Sequence, residues 1–147
     1  MERGAHPHPQ TAIAAAQLSA FLDTNIVIRH LTGDPPAMAK RATRFLASNR
    51  DLILTDLVFA ECLYVLQSFY EVEPPRVADL MRAMIAFPAI QVVDSDLLLR
   101  ALELYEQKRL DFADTYLVAA AELSGVGAVA SFDKAIDRIP SVKRIAP

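Results

Sequence analysis

Short apolar runs alternate along this chain with longer amphipathic segments, and that alternation restricts the fold more than any other feature. The runs are "AFLD" (20–23), "DLILT" (51–55), "AIQVVD" (89–94), "GAVASFD" (127–133) and "VKRIA" (142–146). Each reads as a short strand, and the intervals between them have helical spacing of apolar residues. A helix is expected over Thr24–Leu31, broken by "TGDPP", and a second is opened by Pro35 and Pro36. Asp56 is expected to cap a third, carrying "LVFAECLYVLQSFY". Three more follow, through "RVADLMRAMIAF", "DLLLRALELYEQ" and "LDFADTYLVAAAELSG", the last stopped by Gly125. Apolar strands alternating with helices imply an α/β fold, with a mostly parallel central sheet of about five short strands and helices on both faces. In such sheets, sites form at the carboxyl ends of the strands.

At 147 residues the chain reads as one domain, with residues 1–18 as a flexible N-terminal extension and 19–147 as the folded part. His6 and His8 stand on that extension, where two histidines alone do not imply a metal site. The apolar share, 53%, is high for a soluble domain. No apolar run reaches the roughly 20 residues that span a bilayer, so no membrane partner is expected. The excess points to a core plus some partner-facing surface. The segment before Ala20 lacks the basic start of a signal peptide. The single cysteine, Cys62, lies in an apolar run and reads as a small core residue in a reducing, cytoplasmic setting. A formal charge of −3 argues against bulk attraction to nucleic acid, leaving only local basic patches at Lys40, Arg41, Arg44 and Arg50, or at Lys108 and Arg109.

Acids stand where the strands end. Asp23, in "FLDTNIVI", could simply be an N-cap. Glu61 is the single charge in "LVFAECLYVL", with Leu57, Val58, Tyr64 and Val65 as helical neighbours, and its plain reading is a solvent-facing helix edge. Asp111 and Asp114 could form a capping pair at a helix start, and Asp133 could cap or turn "ASFDKAI". The sheet rule ties these readings together, because it brings Asp23, Glu61, Asp114 and Asp133 toward one edge. Several carboxylates at one place repel and raise one another's pKa unless a cation neutralises them. Mg²⁺, or Mn²⁺, is the natural cation for an all-carboxylate set.

"FLDTNIVI", the helix-borne Glu61 after "LTDLVFAE", "DFADTYLVAAA" and "ASFDKAI" together resemble the PIN-domain ribonucleases, in particular the VapC-type toxins of toxin–antitoxin pairs. The resemblance runs from about Ala20 to Pro147 and implies a PIN-like three-layer sandwich. It carries the acidic, metal-holding and catalytic positions onto Asp23, Glu61, Asp114 and Asp133. Asp111 takes a supporting place, and Thr24, Asn25 and Ser131 match small polar positions that orient the site. The activity it implies is Mg²⁺- or Mn²⁺-dependent endonucleolytic hydrolysis of RNA by a metal-activated water. The partners it implies are an RNA substrate, a cognate antitoxin laid along an apolar groove, and a second copy of the chain in a homodimer. His30 fits a packed or surface residue better than a general base. The extension before Ser19 departs from the family pattern.

Two other classes compete. A degenerate PIN domain that only binds partners would be expected to have lost some of the acids, and all four are present. An aspartate-phosphorylated phosphotransferase of the haloacid-dehalogenase kind needs a second Asp two residues after the first, and position 25 is Asn.

Overall fold

The computed structural model describes residues 19–147; the N-terminal extension, with His6 and His8, lies outside the described residues. Five strands and six α-helices alternate. They run β1 (Ala20–Phe21), α1 (Thr24–Thr32), α2 (Pro36–Ser48), β2 (Leu52–Ile53), α3 (Asp56–Ser68), α4 (Pro74–Ala86), β3 (Ile90–Gln91), α5 (Ser95–Lys108), α6 (Phe112–Ser124), β4 (Ala128–Ala130) and β5 (Lys143–Ile145). A 3₁₀ helix over Lys134–Arg138, not foreseen from the sequence, links the last two strands.

Every strand pairing is parallel, as expected. The strands form two ladders, β1–β2–β3 and β4–β5, where one sheet was expected. Two-residue strands contribute few hydrogen bonds, each worth about 1 kcal/mol net. Burial does more: one fully buried leucine is worth roughly 1.5–3 kcal/mol. Leu52 and Ile90 from the first ladder, Leu22 and Leu54 just past its strands, and Val129 from the second ladder share one core with Phe59, Leu66, Met81, Leu102 and Ile136. The common core, more than backbone pairing, makes the two ladders one body.

Helix starts follow local chemistry. Pro36 and Pro74 open α2 and α4 at positions where a missing N–H costs nothing. Gly125, at φ 81°, ends α6 in the left-handed conformation that favours glycine. Asp56, expected to cap α3, does not. Thr55 is the cap, its hydroxyl accepting from the Val58 N–H at 3.2 Å, while Asp56 is the first helical residue and accepts from the Tyr116 hydroxyl at 2.5 Å. Asp111 holds the N-cap position of α6 but makes no side-chain capping bond.

Ion pairs fasten the helices farthest along the chain. Arg100 on α5 donates from Nε and a terminal nitrogen to both oxygens of Glu122 on α6, at 2.7 and 3.0 Å. The Ser141 hydroxyl adds a third bond to Glu122. These contacts hold the Glu122 carboxyl below the usual glutamate pKa, with the Arg100 hydrogen bonds the largest cause. A lowered folded-state pKa means stability that is present above the unfolded value and lost as pH falls through the folded one. Arg100→Ala should therefore cost about 1–2 kcal/mol at neutral pH by chemical denaturation. The difference should shrink on acidification below the ordinary glutamate range.

Candidate active site

Asp23 leaves β1 with extended backbone (φ −85°, ψ 153°) and starts α1 as its N-cap, Oδ1 accepting from the Thr24 N–H at 2.8 Å. Thr24 is itself buried, and its hydroxyl donates across to Glu61 Oε2 on α3 at 2.8 Å. One threonine thus joins two of the acids expected at the site. Valine would fill the same space but leave Glu61 without a donor. Glu61 does not sit in an apolar pocket. It is exposed, on a face of α3 where Leu57 and Tyr64 are also exposed.

The other half of the site comes from the C-terminal elements. Asp114 lies in the first turn of α6, half-buried. Its carboxyl is held above the usual aspartate pKa, first by burial, then by the charge and direct hydrogen bond of Asp133, and last by the charge of Asp111. A neighbouring carboxylate disfavours a second negative charge, so the shift has the direction expected of clustered acids. Asp133 follows β4 and caps the 3₁₀ helix through Oδ1 to the Ala135 N–H at 2.9 Å. Its own N–H donates to the Ser131 hydroxyl at 3.0 Å, so Ser131 shapes the turn that presents Asp133.

Arg144 on β5, which sequence reasoning passed over, clamps this turn. One terminal nitrogen donates to the Ser131 carbonyl at 3.0 Å, while Nε and the other terminal nitrogen grip Asp137 at 3.0 and 3.2 Å. The side chain is only 14% exposed, an unusual position for a strand arginine unless it is paired. No local pattern announces it, because its partners lie on the preceding turn and the 3₁₀ helix.

The expected residues therefore occur as Asp23, Thr24 and Glu61 on one side, and Asp111, Asp114, Ser131 and Asp133 on the other. Asp23 and Glu61 both act on the buried Cys62 thiol, which burial first and these charges second push up to about 12. That thiol is inert. Asn25 is exposed and faces a groove between α1 and α2. His30 packs edge-to-face with Phe87 and bonds Thr43 through Nδ1 at 2.8 Å, and burial lowers its pKa; its named partners are on α2 and past α4, none of them a site acid.

Among the described residues, no three His, Cys, Asp or Glu side chains close around one point. The donor set nonetheless fits a hard divalent cation. Asp23, Glu61, Asp111, Asp114 and Asp133 offer only carboxylate oxygens, and none of them takes part in a salt bridge among the described residues.

A parallel α/β domain with unpaired carboxylates at the carboxyl ends of its strands belongs to a recognisable class of folds with sites at that edge. The PIN domain family matches residues 20–142, and the chain belongs to that family. Among solved structures, a chain of "VapBC2 from Rickettsia felis bound to a DNA fragment from their promoter" is similar at 16% identity. It overlaps 88% of this chain and 98% of its own length, with a TM-score of 0.36. No curated protein sequence matches.

The Asp114 environment fixes the sign of a mutation. A raised folded-state pKa means that the charged form opposes folding: the contribution is favourable below the unfolded pKa and is lost as pH rises through the folded one. Asp114→Asn should therefore raise, not lower, the melting temperature of the metal-free protein at neutral pH. The gain should vanish in acid, where the wild-type carboxyl is protonated. Thermal melts in chelator across this range check it.

Proposed function

We propose that this chain is a Mg²⁺- or Mn²⁺-dependent endoribonuclease and the toxin of a toxin–antitoxin pair. Its family supports a nuclease, since PIN domains generally are nucleases. The observation that carries the reading is the set Asp23, Glu61, Asp111, Asp114 and Asp133 past the strand ends, none in a salt bridge among the described residues. Burial first, then Asp133 and Asp111, raise the Asp114 pKa, and clustered perturbed carboxyls mark functional sites.

In this reading Asp23, Asp114 and Asp133 would hold the cation, with Glu61 alongside. A divalent ion there supplies an acidified water and stabilises charge on the phosphate. The chain's own residues do the positioning. Asp23 is fixed by its bond to the Thr24 N–H, Glu61 by the Thr24 hydroxyl, and Asp133 by Ser131 and Ala135. Asp111 adds negative charge at the edge of the set. Binding RNA beside five acids requires cations to offset them, so affinity should fall steeply with salt.

The protein partners fit exposed apolar surface. Leu57 and Leu117, 80% and 49% exposed on α3 and α6, line a groove of about 430 Å³ with Ala60, Phe112 and Tyr116, and Tyr64 on α3 is also exposed. A patch of this kind suits a second copy of the chain or the antitoxin.

Purified protein should cut a mixed RNA pool at low salt when Mg²⁺ or Mn²⁺ is added, and EDTA should stop it. Asp23→Asn and Asp114→Asn should show no cleavage. Thr24→Val, which leaves every acid in place, should lower activity by roughly 10–100-fold, the usual effect of removing a partner that orients a ligand. Folded, antitoxin-free protein that neither binds a divalent ion nor cuts RNA would instead be a binding module.

A further inference from the structure

We propose that Tyr64 is a stacking platform for a base of single-stranded RNA beside the cleaved bond, seated over the groove between α3 and the start of α6. This rests on the nuclease reading above. Four aromatic side chains are exposed among the described residues, Phe21, Tyr64, Phe69 and Phe132. Phe69 has a ring partner in Tyr70, at 5.0 Å, and is the one that stands away from the acids. The other three pack on no ring among the described residues. Phe21 lies two residues before Asp23 on the same face of the extended chain. Tyr64 lies one turn past Glu61 on the same face of α3, and Phe132 adjoins Asp133. Burying a ring stabilises a fold, so unpartnered rings gathered at the acids point to an occupant from outside the chain. Rings beside a backbone site are the means by which proteins hold single strands, one base stacked on each.

The groove at Tyr64 has a volume of about 350 Å³, within the range of small-ligand pockets, ~300–1,000 Å³. Tyr64, Gln67 and Ser68 line it from α3, and Asp111, Phe112 and Ala113 from the start of α6. Asp111 is thus both a wall of the groove and a neighbour of Asp114, whose carboxyl feels its charge. Groove and acids meet a second time on α3, where Glu61 and Tyr64 are both exposed one turn apart.

The lining suits a flat, neutral group. It holds one acid and no basic residue, so a phosphate or an acidic peptide would be repelled there. Ala60 and Phe112 supply apolar surface, and Gln67 supplies a polar edge. The Gln67 Oε1 accepts from the Tyr105 hydroxyl at 2.7 Å, which leaves the amide N–H groups as donors. A nucleobase is apolar on its faces and carries acceptors around its rim, and it matches a ring, an apolar floor and an amide donor. An arginine side chain of a protein partner is the competing occupant, since it also stacks on rings and pairs with a carboxylate. The Gln67 donors favour the base, because a guanidinium has no acceptor to offer them.

The test measures binding of a labelled single-stranded RNA oligonucleotide across a salt series, in an Asp114→Asn background so that the probe stays intact. Tyr64 is exposed, so replacing it should leave the melting temperature unchanged. Tyr64→Ala should weaken binding about 5- to 150-fold, the usual loss of one base–ring stack. The slope of log affinity against log salt should stay the same, because no phosphate contact is removed. Tyr64→Phe keeps the ring and should retain the affinity. Tyr64→Leu keeps an apolar side chain without the ring and should bind as weakly as Tyr64→Ala. Phe69→Leu, at the ring already partnered by Tyr70, should change nothing. If the unsubstituted protein cuts RNA while Tyr64→Leu binds it with full affinity, the stacking platform is wrong and the nuclease reading stands. A salt slope that falls together with the affinity of Tyr64→Ala also overturns the platform, since the loss would then lie in phosphate contacts. RNA neither bound nor cut by the unsubstituted protein overturns both readings. An oligoarginine peptide whose binding is lost in Tyr64→Ala, with RNA binding unaltered, assigns the groove to a basic protein segment and overturns the base site.

Discussion

The register of the first ladder, with Ala20 level with Leu52 and Leu52 level with Ile90, sets where the acids can stand. Parallel strands in register end together, and each then turns into a helix. Two or three residues past the strand ends stand acceptors: Asp23 caps α1, Thr55 caps α3 and Asp94 caps α5. In the second ladder Asp133 does the same for the 3₁₀ helix after β4. The partial positive charge of each helix start offsets some of the cost of placing carboxylates there. Capping a helix and holding the proposed cation are therefore compatible uses of Asp23 and Asp133. The bonds that cap the helices also fix the carboxylates' orientation, leaving other lone pairs facing outward.

What could be read from the sequence was what short-range chemistry decides. The ends of the apolar runs, the proline-opened helices and the glycine stop after Ser124 all fall where local patterning puts them. The acids of "FLDTN" and "ASFDKAI" stand just past strands for the same reason. Contacts between distant segments were out of reach. Asp56 and Thr55 are equally plausible caps by residue type. The choice is made by Tyr116, sixty positions away, whose hydroxyl takes the Asp56 carboxylate. Glu61 lies on the solvent-facing helix edge of its plain reading, but that Leu57 and Tyr64 beside it are exposed as well is a fact that only the packing of α3 reveals. Arg144 was illegible because its role depends on the parallel pairing of β5 with β4, which brings it beside the Ser131 carbonyl.

The charges of the described residues divide between two tasks. Arg82 with Glu106, Arg100 with Glu122, and Arg144 with Asp137 tie α4, α5, α6 and the C-terminal turn together. These pairs are partly screened from solvent, and two of them join separate helices, so they stiffen the frame more than exposed pairs would. At the edge formed by the strand ends the pattern reverses: Asp23, Glu61, Asp111, Asp114 and Asp133 form no salt bridge among the described residues. A frame that satisfied every charge would gain stability but would have nothing with which to attract a cation. Under the proposed function a divalent ion would relieve that surplus negative charge, so stability forgone at this edge in the metal-free chain would be recovered when the ion binds.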